Sequence, residues 1–116
     1  MAYRIAVKRL SAVEVDPTRS NQHEFHAGRL RAELALTGTT RGNITFLVLS
    51  PHGAIRSSDE DEFTLYDARR GNARRSAEWR LYFRSRALQS LASPGDSLLL
   101  YSRGPGALCG VIVPGA

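Results

Sequence analysis

The sequence has 116 residues and a mass of 12.8 kDa, which suits one domain with its own core and is too short for two. With 42% hydrophobic and 23% charged residues, it excludes a largely disordered chain, and its apolar runs are far shorter than the roughly 20 residues of a membrane-spanning helix. The net charge is +5. The amino terminus lacks the apolar core and the cleavage site of a secretion signal, so we expect a cytoplasmic protein. We expect one domain over residues 1–116, with no membrane contact.

The first half of the chain alternates strand patterns with polar loops. Residues 3–10 alternate apolar and polar side chains with the period of two that is typical of a half-buried strand, and residues 11–22 are expected to form a loop. Residues 30–36 fit either a strand or a helix, and the turn and β-favouring residues that follow them favour a strand. Residues 44–49, which are β-branched and aromatic, give the clearest strand signal.

The second half of the chain adds four short strands and one helix. Strands are predicted over residues 63–66, 79–84, 97–101 and 107–113, and the last two are expected to be paired and central because they are almost wholly apolar. Residues 85–91 have helical spacing between a serine and a Pro-Gly stop. Six or seven strands with little helix predict a mainly β barrel or sandwich whose strands are mostly antiparallel.

The positive charge is concentrated in one segment. Residues 66–86 contain seven arginines and two acids, so this segment carries the whole excess of +5, and it follows an acidic run at residues 59–62. A charge this local is typical of a surface that meets a polyanion. Arginine accounts for fifteen of the sixteen basic residues, with Lys8 the exception. A GC-rich genome accounts for that ratio but not for the clustering.

The sequence contains no recognisable catalytic or metal-binding constellation. Lys8 lacks the acid two residues before it that metal-dependent nucleases use beside their catalytic lysine. His23 and His26 have no third ligand at metal-binding spacing, so we predict no metal and no cofactor. The lone Cys109 lies in an apolar run and is expected to be a small buried hydrophobe. We therefore expect no enzymatic activity from this chain.

Two polar segments are richer than turns require. Residues 20–26 offer amide, imidazole and carboxylate groups that suit base edges, among them the carboxylate of Glu24. Residues 69–75 offer four arginines and one asparagine around a glycine. Each segment also has a simpler interpretation, as a loop that satisfies its own backbone or as a solvated arginine patch, and the concentrated charge favours nucleic-acid binding for the second.

Four short motifs occur in order along the chain. They are residues 7–12 (Val-Lys-Arg-Leu-Ser-Ala), the pair Asn21-Gln22, the tract Asn72-Ala73-Arg74-Arg75 followed by Trp79, and residues 106–108 (Gly-Ala-Leu). Together they resemble the amino-terminal effector domain of the EcoRII-type restriction endonucleases, over about residues 3–113. The resemblance implies the DNA-binding pseudobarrel shared with plant B-three transcription-factor domains, a seven-stranded open pseudobarrel with one or two short helices, whose two arms grip the major groove of DNA.

By this resemblance, residues 20–26 form an amino-terminal arm and residues 69–75 a carboxy-terminal arm, which we name the N-arm and the C-arm. Trp79 is implied to be a core anchor beneath the C-arm. The family pattern has an acidic residue where Ala73 stands and a basic one at Gly71, so the target sequence is expected to differ from the family's. The implied DNA-binding residues are Asn21, Gln22, His23, His26, Arg69, Arg70, Asn72, Arg74 and Arg75.

The resemblance implies sequence-specific binding of double-stranded DNA without cleavage, because the family's nuclease residues belong to a separate catalytic domain. We expect the chain to be an excised recognition domain or a stand-alone relative, with a nuclease domain in the full-length protein or in a partner. Two alternatives stay open. One is an RNA-binding small β-barrel that stacks bases on aromatic residues such as Phe25 and Tyr66. The other is a protein-interaction module whose arginine patch meets an acidic partner.

Overall fold

Seven strands and three short helices are found in the computed structural model, which describes residues 4–15, 24–69, 71, 76–84, 86–104 and 106–115. Their order along the chain is β1 (Arg4–Arg9), α1 (Ala12–Val15), β2 (Glu24–His26), α2 (Gly28–Glu33), β3 (Thr40–Leu49), β4 (Ile55–Asp67), β5 (Trp79–Tyr82), α3 (Arg86–Leu91), β6 (Ser97–Gly104) and β7 (Ala107–Val113). None of the helices in the described ranges has the length and apolar character needed to cross a bilayer.

The strands form one mixed sheet in the order β1-β6-β7-β3-β4-β5-β2, which curls into an open half-barrel. Neighbouring strands are antiparallel except β3 and β7, which are parallel. This architecture confirms the predicted mainly β fold with seven strands in an open barrel, and also the predicted pairing of β6 with β7. The described chain has three short helices rather than one or two. The strands β1 and β2 form the two edges of the sheet.

One face of the sheet is apolar and covers the core. In β3, Ile44, Phe46 and Val48 are buried, whereas the residues between them are partly exposed, as the alternation of a strand requires. Phe25 and Phe83 join this face, with ring centroids 4.7 Å apart, and Phe46 packs edge-on against both. The opposite face, which we name the outer face, carries the side chains that point away from the core.

The prediction of a strand over residues 30–36 is wrong. Residues 30–33 belong to helix α2, and residues 34 and 35 form the turn that follows it. Leu30 and Leu34 are buried, and the three residues between them are exposed or half-buried. That spacing of four is the helical one. The chain then leaves the helix through Ala35, whose φ of 54° lies in the left-handed region that ends many helices.

Three smaller expectations are also revised. The loop predicted for residues 11–22 contains α1, and the remainder of it after residue 15 lies outside the described residues. The strand predicted over residues 63–66 is the end of the 13-residue β4, which also contains the acidic run. Cys109 is half-buried on the outer face, because its neighbours Leu108 and Gly110 take the inward positions.

Candidate nucleic-acid interface

The strands that adjoin the two predicted arms, which we name the stems, lie next to each other in the sheet. The N-arm runs into β2, and the C-arm connects β4 to β5. Since β5 pairs with both β2 and β4, the two stems lie side by side. Of the predicted DNA-binding residues, the structure describes His26 and Arg69. The others lie outside the described residues: Asn21, Gln22, His23, Arg70, Asn72, Arg74 and Arg75.

A polar surface covers the outer face between the stems. Residues directly opposite each other in paired strands share a face. Leu65, Leu81 and Phe25 are opposite one another and buried, so their sequence neighbours point outward. The register aligns these outward side chains across β3, β4, β5 and β2, and we name the surface the platform. The platform comprises Arg41, Thr64, Tyr66, Arg80, Tyr82, Glu24 and His26.

A network of ion pairs joins the two stems. Arg80 on β5 lies between two acids, with Nη1 3.4 Å from Glu24 Oε1 and Nη2 3.2 Å from Glu78 Oε1. The Tyr66 hydroxyl donates to the Glu24 carboxylate, and Arg69 Nε lies 3.2 Å from Glu78 Oε2. Glu24 thus binds Tyr66 and Arg80, so its position supports a structural role rather than the contact with a base edge considered from the sequence.

Asp67 closes the base of the C-arm. Its Oδ1 accepts hydrogen bonds from the backbone N–H groups of Arg69 and Glu78, each at 2.9 Å. The N–H of Ala68 also donates to the carbonyl of Glu78 at 2.8 Å. One carboxylate therefore holds both ends of the segment that contains the C-arm. Just beyond it, Trp79 packs against the core, and the guanidinium of Arg31 lies 4.4 Å above its ring.

Glu14 performs the same task for the N-arm. Its side chain is 1% exposed, and Oε2 accepts the N–H of His26 at 2.8 Å and lies 3.1 Å from Lys8 Nζ. Its Oε1 accepts the N–H and the hydroxyl of Ser11, each at 3.0 Å. Because Glu14 precedes and His26 follows the undescribed residues 16–23, one buried carboxylate fixes both ends of that segment. Sequence reasoning missed Glu14, whose only signal is a lone acid among apolar residues.

Glu78 makes the network sensitive to acid. The hydrogen bond from Arg80 lowers the pKa of Glu78 below its ordinary value, with desolvation opposing it and the charges of Arg80 and Arg69 adding to it. A carboxyl group whose pKa is lower in the folded state stabilises the fold above its unfolded-state pKa. That contribution is lost as the pH falls through the folded-state pKa.

We therefore expect the unfolding free energy of Glu78→Gln to depend less on pH than that of the wild type in the acid range. Urea denaturation at successive pH values measures the difference. Curves of the two proteins that run parallel through that range would show that Glu78 has the same pKa in the folded and unfolded states.

At one end of the platform, its residue Arg41 and the nearby Arg84 line a shallow depression with a volume of about 530 Å³. Arg41 and Arg84 are exposed, and neither side chain pairs with a carboxylate of the described residues. Asn43 and Glu62 line the same depression. The backbone at Arg84 is fixed, since its N–H donates to Asp61 Oδ2 at 2.5 Å. Two such guanidinium groups suit an anionic ligand.

Within the described ranges, no three His, Cys, Asp or Glu side chains are grouped so that they would hold a metal ion. Comparison of the chain with protein-family models, curated proteins and solved structures found no match. The fold, the interface residues and the order of the short motifs are therefore the features that bear on function.

Proposed function

We propose that this protein binds double-stranded DNA sequence-specifically, gripping the major groove with the N-arm and the C-arm, and does not itself cleave it. The observation that carries the proposal is that the two arm stems flank one strand. Both β2 and β4 pair with β5, with the N-arm entering β2 at Glu24, opposite Tyr82, and the C-arm entering β5 at Trp79. The B-DNA major groove is about 12 Å wide and admits an α-helix or a two-stranded β-ribbon. The platform between the stems faces the backbone of the bound duplex.

The distribution of charge supports this proposal. Segment 66–86 carries the whole net excess of the chain. Within it, Arg69 and Arg80 contact acids of the arm stems, whereas Arg84 and the neighbouring Arg41 make no such contact among the described residues. Phosphate contacts position a protein on DNA and base contacts give specificity. We assign phosphate contacts to Arg41 and Arg84, and base contacts to the two arms.

The aromatic residues favour duplex DNA over single-stranded RNA. Readers of single strands stack bases on exposed aromatic side chains. Phe25 is completely buried, and the Tyr66 hydroxyl is bound to Glu24. Among the aromatic residues that the structure describes, Tyr82 on the platform is the one that is exposed, at 38%, so these residues offer one stacking surface and not a series. A DNA partner also agrees with the cytoplasmic location and the companion nuclease domain that the sequence leads us to expect, and it needs no cofactor.

Duplex affinity is expected to depend steeply on salt. If about six phosphates are neutralised, the logarithm of the affinity should fall against the logarithm of the salt concentration with a slope near −5. Arg41→Ala and Arg84→Ala should each make that slope shallower by about 1 and weaken binding to all sequences alike. Fluorescence anisotropy with a labelled duplex between about 50 and 200 mM salt measures both effects.

Arg56→Ala is the matched control, because it removes the same charge from an exposed residue near the start of β4, away from the platform. It should leave the slope unchanged. An equal change of slope in all three variants would indicate general attraction by net charge, and a wild-type slope close to zero would refute binding through phosphates.

A further inference from the structure

The outer face of the sheet has an apolar half as well as the polar half that contains the platform. Residues 98–101 of β6 and the whole of β7 are apolar, yet only alternate residues, such as Leu98 and Leu100, are buried. The residues between them point outward and stay partly exposed. Strands that are apolar on both faces are typical of sheets that are covered on both faces. Within the described residues, however, only one face is covered.

The register aligns these outward side chains into one surface. Val7 lies opposite Leu99, Leu99 opposite Val111, and Val111 opposite Leu47, which makes a row across four strands. Ile5 and Leu49 extend the row on β1 and β3, since residues two apart in a strand share a face. We name this surface the apolar patch. It comprises Ile5, Val7, Leu47, Leu49, Leu99 and Val111.

The apolar patch is large enough for a stable interface. Ile5 is 60% exposed and Val7 47%, and Ile55, which pairs with Leu49 at the β-bulge, is 62% exposed. With the partly exposed remainder of the patch and the adjoining Ile55, the exposed apolar area is on the order of 300–600 Å², a size at which surface patches are often functional. A standard interface takes about 800 Å² from each partner, a little over half of it apolar. The patch therefore supplies about the apolar share of one side of such an interface.

We propose that two copies of this chain associate face to face through the apolar patch, as a two-fold symmetric dimer. A two-fold contact joins the same surface on both copies, so the surface must be complementary to itself. The apolar patch has no charge in its interior, and its rim carries both signs of charge, with Arg9, Arg56 and Glu60. The platform lies outside the apolar patch, on the part of the outer face towards β2.

A contact between edges of the two sheets is less favourable than this contact between faces. The strand β1 is an edge strand, and unpaired edges invite a strand from another chain. Helix α2 packs beside β1, and Arg29 of that helix donates to the carbonyl of Val7 at 2.5 Å. The chain therefore occupies part of this edge itself, whereas the apolar patch is open.

Sedimentation velocity of the full chain over a range of concentrations tests the dimer. The wild type should shift from 12.8 kDa at low concentration towards twice that mass. Val7→Glu should raise the dissociation constant at least about tenfold, because it places a charge in the centre of an apolar contact. The side chain of Val7 is half-exposed, so its thermal unfolding should stay close to that of the wild type. Should Val7→Glu fail to fold, Ile5→Glu replaces it at a more exposed position of the apolar patch.

Tyr82→Glu is the control, because it adds the same charge at an exposed hydrophobic residue of the platform, outside the apolar patch. It should dimerise as the wild type does. A wild type that stays monomeric at every concentration would overturn the proposal, as would a variant in the apolar patch that dimerises normally or a control that loses dimerisation equally. DNA binding is not part of this readout, so the result is independent of the proposed function.

Discussion

Glu14→Ala is expected to lower the free energy of unfolding by about 3–5 kcal/mol, the usual cost of breaking a buried ion pair. The substitution leaves the partly buried ammonium of Lys8 without its carboxylate, at a side chain that is 20% exposed. It also removes the acceptor for the backbone N–H groups of Ser11 and His26. Because Ser11 precedes the N-arm and His26 is its last residue, the variant should also weaken specific DNA binding more than nonspecific binding. Urea denaturation and duplex titration measure the two effects.

Glu33→Ala is the matched control for Glu14→Ala. Glu33 also forms an ion pair, with Arg29 at 3.3 Å on the surface of α2, but its side chain is 40% exposed. Exposed pairs of this spacing contribute about 0.5 kcal/mol or less. The control should therefore change stability little. If the two substitutions cost the same, Glu14 would not be the buried junction that we describe.

Gly42→Ala is expected to cost about 3 kcal/mol or more, at the upper end of what overpacking costs. A Cβ at Gly42 would lie 2.1 Å from the carbonyl oxygen of Gly106 and 2.4 Å from its Cα. Because these are backbone atoms, no rotation of a side chain relieves the clash, and the β6–β7 turn has to move. The N–H of Asn43 donates to the same carbonyl at 2.9 Å and would lose that bond. Arg41, next to Gly42, would shift with the strand, so duplex affinity should fall as well.

Gly28→Ala is the matched control for Gly42→Ala. A Cβ at Gly28 would meet nothing within 4 Å, and this residue begins helix α2. Alanine there should stabilise the protein by about 0.4–1 kcal/mol, because it restricts the unfolded chain. Urea denaturation of both variants gives the comparison. A Gly42→Ala protein that is as stable as Gly28→Ala would mean that the β6–β7 turn does not pack on β3.

The strands were predictable where the local pattern alone determines the structure. Residues 44–49 are rich in β-branched and aromatic side chains and residues 107–113 are almost wholly apolar, and the structure contains both strands. Helix α2 was not predictable in this way. Residues 30–36 have leucines at positions 30, 34 and 36, and so short a pattern fits both the strand period of two and the helical period of 3.6. The spacing of Leu30 and Leu34 becomes decisive only when the tertiary structure shows which residues are buried.

The candidate interface was predictable only in part for a similar reason. Local composition pointed to His26 and Arg69 in the two polar segments. By contrast, Arg41 joins the platform through the register of β3 with β4, 23 residues away in sequence at Thr64. The apolar patch needs the pairing of four strands, and from sequence the apolar runs of β6 and β7 indicated only burial. Both surfaces are formed by pairing between strands that are distant in sequence, and a single sequence does not show which strands pair.

Selection of bound duplexes from a random-sequence library tests the central claim, sequence-specific recognition of double-stranded DNA, most directly. We predict that the bound pool converges on one motif, and that a duplex with this motif binds at least about 10³ times more tightly than a random duplex at physiological salt. A bound pool that remains random after repeated rounds, with no duplex preferred over any other, would contradict it.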